Sequence, residues 1–173
     1  MNERKESTTS IILEYIKVIV LTVIVTFIFL QFVQISRVNG SSMENTYFQN
    51  NIVLIDKVFY KRSQPKKDDI IIVDYDDGLE DTLIIKRVIA VGGDHLDIKN
   101  NEVYINGKKL KENYIKEKMN TEDISIDIPK GKVFVMGDNR NHSLDSRKLG
   151  YFDFDEDVIG KVFFKIPLGN QII

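Results

Sequence analysis

Nineteen consecutive residues near the start of the chain, Val18 to Ser36, carry no charge and are mostly apolar. As a helix they would span about 28 Å, which is close to the roughly 30 Å hydrocarbon core of a bilayer. A buried core helix usually has a polar face, and a cleaved signal peptide needs a shorter apolar run and small residues at its cleavage site. No alanine occurs before Ala90. We therefore predict a retained transmembrane anchor over residues 18–36.

The cations that flank this segment predict its orientation. Arg4, Lys5 and Lys17 precede it, whereas only Arg37 occurs in the twenty residues that follow. Under the positive-inside rule, residues 1–17 are a cytoplasmic N-terminus and residues 37–173 lie outside the cell membrane. The expected protein is a single-pass membrane protein with an extracytoplasmic domain, and membrane lipid is an expected partner.

The composition predicts a β-rich domain and excludes several classes of site. The chain has 25 Ile and 16 Val but a single alanine, and β-branched residues favour strands. The net charge of −2 disfavours a nucleic-acid binder. The absence of Cys excludes thiol chemistry and Cys-ligated zinc, and two His cannot form a multi-His metal centre. No metal or other cofactor is expected.

Short apolar runs separated by polar turns predict an all-β, largely antiparallel body. A hairpin is predicted where Glu102–Ile105 and Lys108–Leu110 flank the type I′ signal Asn106-Gly107. A small second lobe is expected at about 97–130, and its polar part, residues 111–127, could be an inserted mobile segment. The remaining predicted strands are Ile52–Phe59, Ile70–Tyr75, Leu83–Val91, Leu96–Lys99, Val133–Met136 and Val158–Phe164.

Two polar segments suggest chemistry that their details do not support. The acidic stretch from Asp74 to Asp81 fails the EF-hand calcium template, because aligning Gly78 with the sixth position puts apolar or aromatic residues at ligand positions. A solvated turn is the better interpretation. His142 could in principle serve a Ser-His-Asp triad, but its polar neighbours favour a surface loop residue.

Lys86 interrupts the apolar strand Leu83–Val91, and Arg87 follows it on the opposite face. A lysine among apolar neighbours loses hydration, which lowers its pKa and permits a general-base role. The alternative is a lysine that extends from a sheet edge into solvent.

Two further segments carry polar groups suited to a site. The loop from Gly137 to Gly150 places Asp138, Arg140, Asp145 and Arg147 among hydroxyl and amide side chains, which favours an Asp–Arg network that holds the loop rigid. The stretch Asn39–Thr46 places serines directly after the anchor.

These segments, in this order, resemble the type I signal peptidases, a family of membrane-anchored serine endopeptidases. The resemblance covers nearly the whole chain, and its short length and Gly40 are similar to members from Gram-positive bacteria. The matching segments are the anchor, Gly40–Thr46, Asp69–Val73, Ile85–Ile89 with Gly93-Asp94, Gly137–Arg147 and Gly160–Pro167.

The resemblance implies an all-β fold with a small second lobe and a Ser-Lys dyad. Ser42 would be the nucleophile and Lys86 the general base, acting through an acyl-enzyme. Ser143 would orient the Lys86 amine, and Met43 would help to form the substrate-facing surface. Gly40 and Asp138 belong to the same implied site, and Asp145 and Arg147 would brace it. The implied substrates are secretory preproteins, cut after small residues at positions −1 and −3.

Two departures from the family pattern concern the turn that carries Ser42. Asn45 stands where the family usually has proline, which would loosen this turn. Gly40 lacks the hydroxyl that some members have two residues before the nucleophile, so the oxyanion hole would use the Ser42 N–H and one unidentified donor, for which Ser41 is a candidate. The rival interpretations are a self-cleaving repressor-type protease, although an anchor replaces its DNA-binding module, and a catalytically silent tethered β domain.

Overall fold

A computed structural model describes residues 8–76 and 81–167 of the chain. It begins with the helix α1 (Thr8–Phe32), whose side chains are exposed along almost its whole length. Among the described residues, α1 is the one helix long and apolar enough to span a membrane. At 25 residues it measures about 38 Å.

The bounds of α1 differ from the predicted anchor at residues 18–36. The helix includes Glu14 and Lys17 near its beginning, because a helix can carry charged side chains where they reach water. It ends at Phe32, because Val33–Arg37 pairs with a strand of the body as β1. Apolarity alone could not separate the end of the helix from a strand that directly continues it.

The body is all-β and its strand pairs are antiparallel, which confirms the predicted fold class. A seven-stranded sheet has the order β1-β2-β11-β3-β4-β9-β10. Besides β1, its strands are β2 (Ile52–Asp56), β3 (Ile70–Asp76), β4 (Asp81–Val91), β9 (Lys132–Met136), β10 (Phe152–Asp153) and β11 (Val158–Ile166).

A second, four-stranded sheet is inserted between β4 and β9, in the order β7-β6-β5-β8. It comprises β5 (His95–Lys99), β6 (Glu102–Ile105), β7 (Lys108–Lys109) and β8 (Ile124–Asp127). The turn of the predicted hairpin has positive φ at both Asn106 and Gly107, as a type I′ turn requires. This second lobe spans residues 95–127, against the predicted 97–130.

Several elements differ from the sequence prediction. The predicted strand Ile52–Phe59 ends at Asp56, whose carboxylate accepts from the N–H groups of Val58 and Phe59 and so turns the chain. A short 3₁₀ helix, Tyr60–Arg62, follows. The strands β1, β8 and β10 and the short helix α2 (Ser146–Leu149) were not predicted. The acidic turn at residues 77–80 lies outside the described residues.

Three clusters of buried side chains hold the body together. One joins the second lobe to β4 and β9, with Ile98, Phe134 and Met136 at its centre. A second lies beneath the turn that carries Ser42, and a third covers the opposite face of the large sheet. Because the first cluster contains residues of both sheets, the second lobe and the body share one core.

The shared core leads to a stability prediction. Ile98 is fully buried, so Ile98→Ala should lower the free energy of unfolding by about 2–5 kcal/mol, since the cavity is lined by both sheets. Chemical denaturation of the full chain in detergent would measure the change. The control is Tyr151→Ala, because Tyr151 is exposed. A single transition shifted no further than in the control would contradict the shared core.

Candidate active site

A tight turn after β1 presents Ser42 above a buried residue. The turn is closed by the N–H of Glu44, which donates to the carbonyl of Ser41, and by the N–H of Tyr47, which donates to that of Met43. Met43 is 1% exposed and packs in the second cluster with Val38 and Ile85. The structure places Met43 in the core, and its expected contribution to a substrate-facing surface stays a prediction. Its apolar side chain fixes the turn from below, which leaves the neighbouring Ser42 hydroxyl above the core.

The Lys86 amine lies beside this hydroxyl. Its Nζ is 2.8 Å from Ser42 Oγ and 3.1 Å from the carbonyl oxygen of Ile85. Lys86 is 3% exposed. Burial lowers the pKa of its amine to about 8, against the raising effect of the Asp145 carboxylate and with a further lowering by Arg147. At pH 7 about one such amine in ten is neutral, compared with one in several thousand for a free lysine.

The loop that follows β9 approaches Ser42 closely at Gly137. A Cβ at this position would overlap the Ser42 carbonyl oxygen and the Ser143 hydroxyl, so a side chain would push the loop away from the turn. Asn139 holds the same two segments together. Its N–H donates to the Ser42 carbonyl at 2.9 Å, and its Nδ2 donates to the Ser41 carbonyl at 3.0 Å.

Asp138 and Arg87 form a buried ion pair beneath the loop. Arg87 Nε and Nη2 donate to the two carboxylate oxygens of Asp138 at 2.8 and 2.7 Å, and the Thr46 hydroxyl donates to the same carboxylate. Asp138 is fully buried. Burial alone would lower the pKa of Arg87, but the hydrogen bonds and charge of Asp138 raise it overall. Arg87, on the strand face opposite Lys86, thus joins β4 to the loop.

Asp145 and Arg147 form a second pair within the loop. Arg147 Nε and Nη2 donate to the carboxylate at 2.8 and 2.7 Å, and Nη2 also donates to the Arg140 carbonyl. Asp145 also accepts from the Gly137 N–H at 3.0 Å and caps α2. Burial raises the pKa of its carboxyl, but the Arg147 hydrogen bond and charge outweigh this, so the pKa is lowered overall.

The hydroxyl of Ser143 is buried and lies beside the Asp145 carboxylate, whose lowered pKa it supports by a hydrogen bond, whereas the Lys86 amine bonds to Ser42 and to the Ile85 carbonyl. Ser143 lies next to the dyad, on the same face of Gly137 as the Ser42 carbonyl. Its role in orienting the Lys86 amine stays a prediction. His142 is exposed in the same loop, as the sequence predicted.

A segment of the second lobe, residues 112–120, crosses over the site and was not identified from the sequence. Glu112 accepts from the buried Arg140 at 2.5 Å, and Lys116 pairs with Glu44 at 2.6 Å. The guanidinium carbon of Arg87 lies 3.8 Å from the ring centre of Tyr114. The predicted mobile segment is therefore bonded to both the Ser42 turn and the loop. Its mixture of charged and aromatic residues gives no periodic signal.

Asn45 adopts a conformation that proline cannot. Its φ is +85°, whereas proline is fixed near −65°. Its Nδ2 donates to the Tyr114 carbonyl at 3.3 Å. The expectation that the turn is loose at this position is wrong, because a side-chain bond to the second lobe holds it. Gly40 also has a positive φ, of +91°, and its N–H donates to Gln49 Oε1.

A small cavity of about 130 Å³ lies at the end of β1 that is remote from α1. Two of its lining residues lie close in sequence to the dyad, since Asn39 is three residues before Ser42 and Ile85 directly precedes Lys86. The other lining residues are Ser36, Arg37, Val38, Val53, Ile72 and Leu83. Such a volume admits only small side chains.

The comparisons with known proteins agree with this geometry. A family model described as signal peptidase, peptidase S26, matches residues 12–166. Signal peptidase I P of Bacillus subtilis subsp. natto is 32% identical, with 96% of each chain covered. Signal peptidase I U of Bacillus subtilis (strain 168) is 36% identical over 78% of this chain and 76% of its own. Signal peptidase IB of Staphylococcus aureus (strain COL) is 33% identical over 89% and 88%.

A solved structure shows the same fold. The crystal structure of a signal peptidase I from Enterococcus faecalis V583 is 28% identical and matches with a TM-score of 0.50, covering 58% of this chain and 98% of its own. The family model also matches most of the chain, from residue 12 to residue 166. The chain therefore belongs to the signal peptidase family, peptidase S26, whose serine endopeptidases remove signal peptides from precursor proteins.

Proposed function

We propose that Ser42 and Lys86 are the catalytic dyad with which this chain cleaves secretory preproteins. The observation that supports this best is the distance of 2.8 Å between Lys86 Nζ and Ser42 Oγ. Burial lowers the pKa of the Lys86 amine to about 8, so a neutral amine is available to accept a proton near physiological pH. A hydroxyl hydrogen-bonded to such a base is an activated nucleophile.

In the first step, Ser42 Oγ attacks the carbonyl carbon of the residue at position −1 while the Lys86 amine takes the hydroxyl proton. The resulting ammonium then gives this proton to the leaving nitrogen, and the mature chain departs with a free amino terminus. The signal peptide remains as an ester on Ser42. In the second step, neutral Lys86 takes a proton from water, whose oxygen attacks the ester, and the proton returns to Ser42 Oγ.

The negative oxygen that develops in each step needs hydrogen-bond donors. The Ser42 N–H donates to no acceptor within the described part of the chain, so it is free for this purpose. The Ser41 carbonyl is engaged by Glu44 and by Asn139, which fixes the peptide group between Ser41 and Ser42. A fixed N–H dipole stabilises a developing charge without reorganising first.

The small cavity beside the dyad supports a preference for small residues before the cut. Its volume of about 130 Å³ would admit an alanine or serine side chain but would exclude a large one. It lies at the end of β1, with Asn39 three residues before Ser42, where a substrate residue just before the cut would bind.

The described surface also supports attachment to a membrane, with lipid as the partner. The ring of Phe59 is 63% exposed and stacks on Phe32 of α1 at 5.4 Å, and Phe163 and Phe164 are also exposed. An apolar cavity of about 290 Å³ lies between the end of α1 and these rings. We place the N-terminus in the cytoplasm and the β body outside, on the basis of the cations near α1.

Removal of either dyad member should abolish cleavage. Ser42→Ala and Lys86→Ala should each reduce kcat/KM for a model precursor by at least about 10³-fold, because nucleophile and base act as a unit. Lys86→Arg should be equally inactive, because guanidinium does not deprotonate. The assay uses full-length protein in detergent. Matched controls are Ser125→Ala and Lys108→Ala in the second lobe, which should cleave normally. Full activity of either dyad variant would exclude this assignment.

The pH dependence of cleavage should report the Lys86 amine. Below pH 8, kcat/KM should fall about tenfold for each unit of pH, because only the neutral amine accepts a proton. Above pH 8 it should level off. Initial rates at low substrate concentration between pH 5 and 10 would measure this profile. A midpoint near the ordinary lysine value of about 10.4 would contradict a buried base.

The orientation can be tested because the chain has no Cys. Single-cysteine variants Thr8→Cys and Ser125→Cys place a thiol at an exposed residue on each side of the proposed membrane segment. A membrane-impermeant maleimide should label Ser125→Cys in intact cells and should label Thr8→Cys only after permeabilisation. The reverse labelling pattern would overturn the proposed orientation.

A further inference from the structure

A second cavity, which shares no lining residue with the small cavity, lies close to the dyad at Ser143. It has a volume of about 740 Å³ and lies between residues 117–124 of the second lobe and residues 140–148 of the loop that follows β9. We call it the lobe cleft. Unlike the small cavity, its walls are mostly polar and charged. The proton transfers between Ser42 and Lys86 do not pass through this cavity.

The lobe cleft comes close to the dyad at Ser143, which is one of its lining residues. The Ser143 hydroxyl and the Ser42 carbonyl flank the same face of Gly137, where neither leaves room for a Cβ. The end of the cleft that carries Ser143 therefore takes part in the close contact between the loop and the turn of Ser42.

The position of the two cavities assigns a direction to the substrate. A precursor chain that is cut at Ser42 must extend from the dyad on both sides, by about 3.3 Å per residue if it is extended. The small cavity is lined in part by residues that precede Ser42 in the chain and admits only small side chains, which suits the signal-peptide side. The mature side must leave by another route, and the lobe cleft is the described cavity that continues past Ser143.

When the residues in ion pairs are set aside, more acidic than basic side chains line the lobe cleft. Arg140 pairs with Glu112 at 2.5 Å and Arg147 pairs with Asp145 at 2.7 Å, so neither arginine presents a free charge. Three acidic side chains remain on the lobe wall and one cation on the loop wall, and none of them forms an ion pair with a described residue. They are Glu117, which accepts from Asn141, then Glu122, Asp123 and Lys148.

We propose that the lobe cleft binds the first residues of the mature chain and favours basic side chains there. This inference rests on the proposed function, since it takes Ser42 as the point of cleavage. The excess of exposed carboxylates attracts cations, and the two walls of the cleft strengthen the attraction by partly excluding water. The preference is a property of the second lobe, because Glu117, Glu122 and Asp123 all belong to it.

The test compares three model precursors that differ only at positions +2 and +3, where they carry two lysines, two serines or two glutamates. With the full-length protein, kcat/KM should decrease in that order, by about 5- to 20-fold from lysine to glutamate, as expected for two exposed charge pairs. The difference should diminish at high salt, because exposed charges are screened.

Neutralising the lobe wall isolates the cause. The double variant Glu122→Gln/Asp123→Asn should cleave the serine precursor normally and reduce the lysine-to-glutamate ratio to less than about twofold. The reversal Glu122→Lys/Asp123→Lys should invert the order. The matched control is Asp155→Asn/Glu156→Gln, an exposed acidic pair away from the cleft, which should keep the wild-type ratio.

The outcomes separate this inference from the function on which it rests. Equal cleavage of all three precursors by the wild-type protein would overturn the inference, and so would a preference that survives in both lobe-wall variants. In both cases Ser42-dependent cleavage would continue. Loss of the proposed function would instead appear as no Ser42-dependent cleavage of any of the three precursors.

Discussion

The burial of one amine beside one hydroxyl determines how the rest of this site is built. Lys86 is 3% exposed, and removing an ammonium from water is unfavourable enough to lower its pKa to about 8. The amine remains in place because Ser42 Oγ and the Ile85 carbonyl accept from it. Every neighbouring charge is therefore constrained, since a single free carboxylate in contact with Lys86 would stabilise the ammonium and remove the base.

Two ion pairs keep the nearby carboxylates away from Lys86. Asp138 is occupied by Arg87 and Asp145 by Arg147, each through two hydrogen bonds. Buried pairs of this kind contribute little net stability, but breaking one leaves an uncompensated charge that is strongly unfavourable. Their role is geometric. They fix the loop after β9 against the turn that carries Ser42, and the close approach at Gly137 needs that fixed loop.

The second lobe contributes more to the site than a covering. Its segment 112–120 bonds to the turn after Ser42 through Asn45 and Glu44, and to the loop through Arg140. The turn is therefore held by contacts far apart in sequence rather than by a rigid proline. Such contacts also make the lobe one wall of the larger cavity beside the dyad, so a change in the lobe can alter both the stability of the turn and the peptide that fits there.

Much of the local structure was predictable because it depends on near neighbours along the chain. Short apolar runs gave most strands of the large sheet, and Asn106-Gly107 correctly identified the β6–β7 hairpin of the second sheet. The strand β1 was missed because its apolar residues continue the helix without a break, and β8 because its segment is dominated by polar residues. Both strands form by pairing with strands distant in sequence, β2 and β5, so no local pattern predicts them.

The sequence by itself determined the apolar helix, the β-rich body and the residue types of the candidate site, because hydrophobic periodicity, β-branching and charge are properties of each segment alone. Only the tertiary structure decided that Met43 faces the core, that Asn45 takes a left-handed conformation and that Ser143 lies against Gly137 beside Ser42. These outcomes depend on which atoms of distant segments fill the surrounding space, and close packing around a buried amine leaves few alternatives.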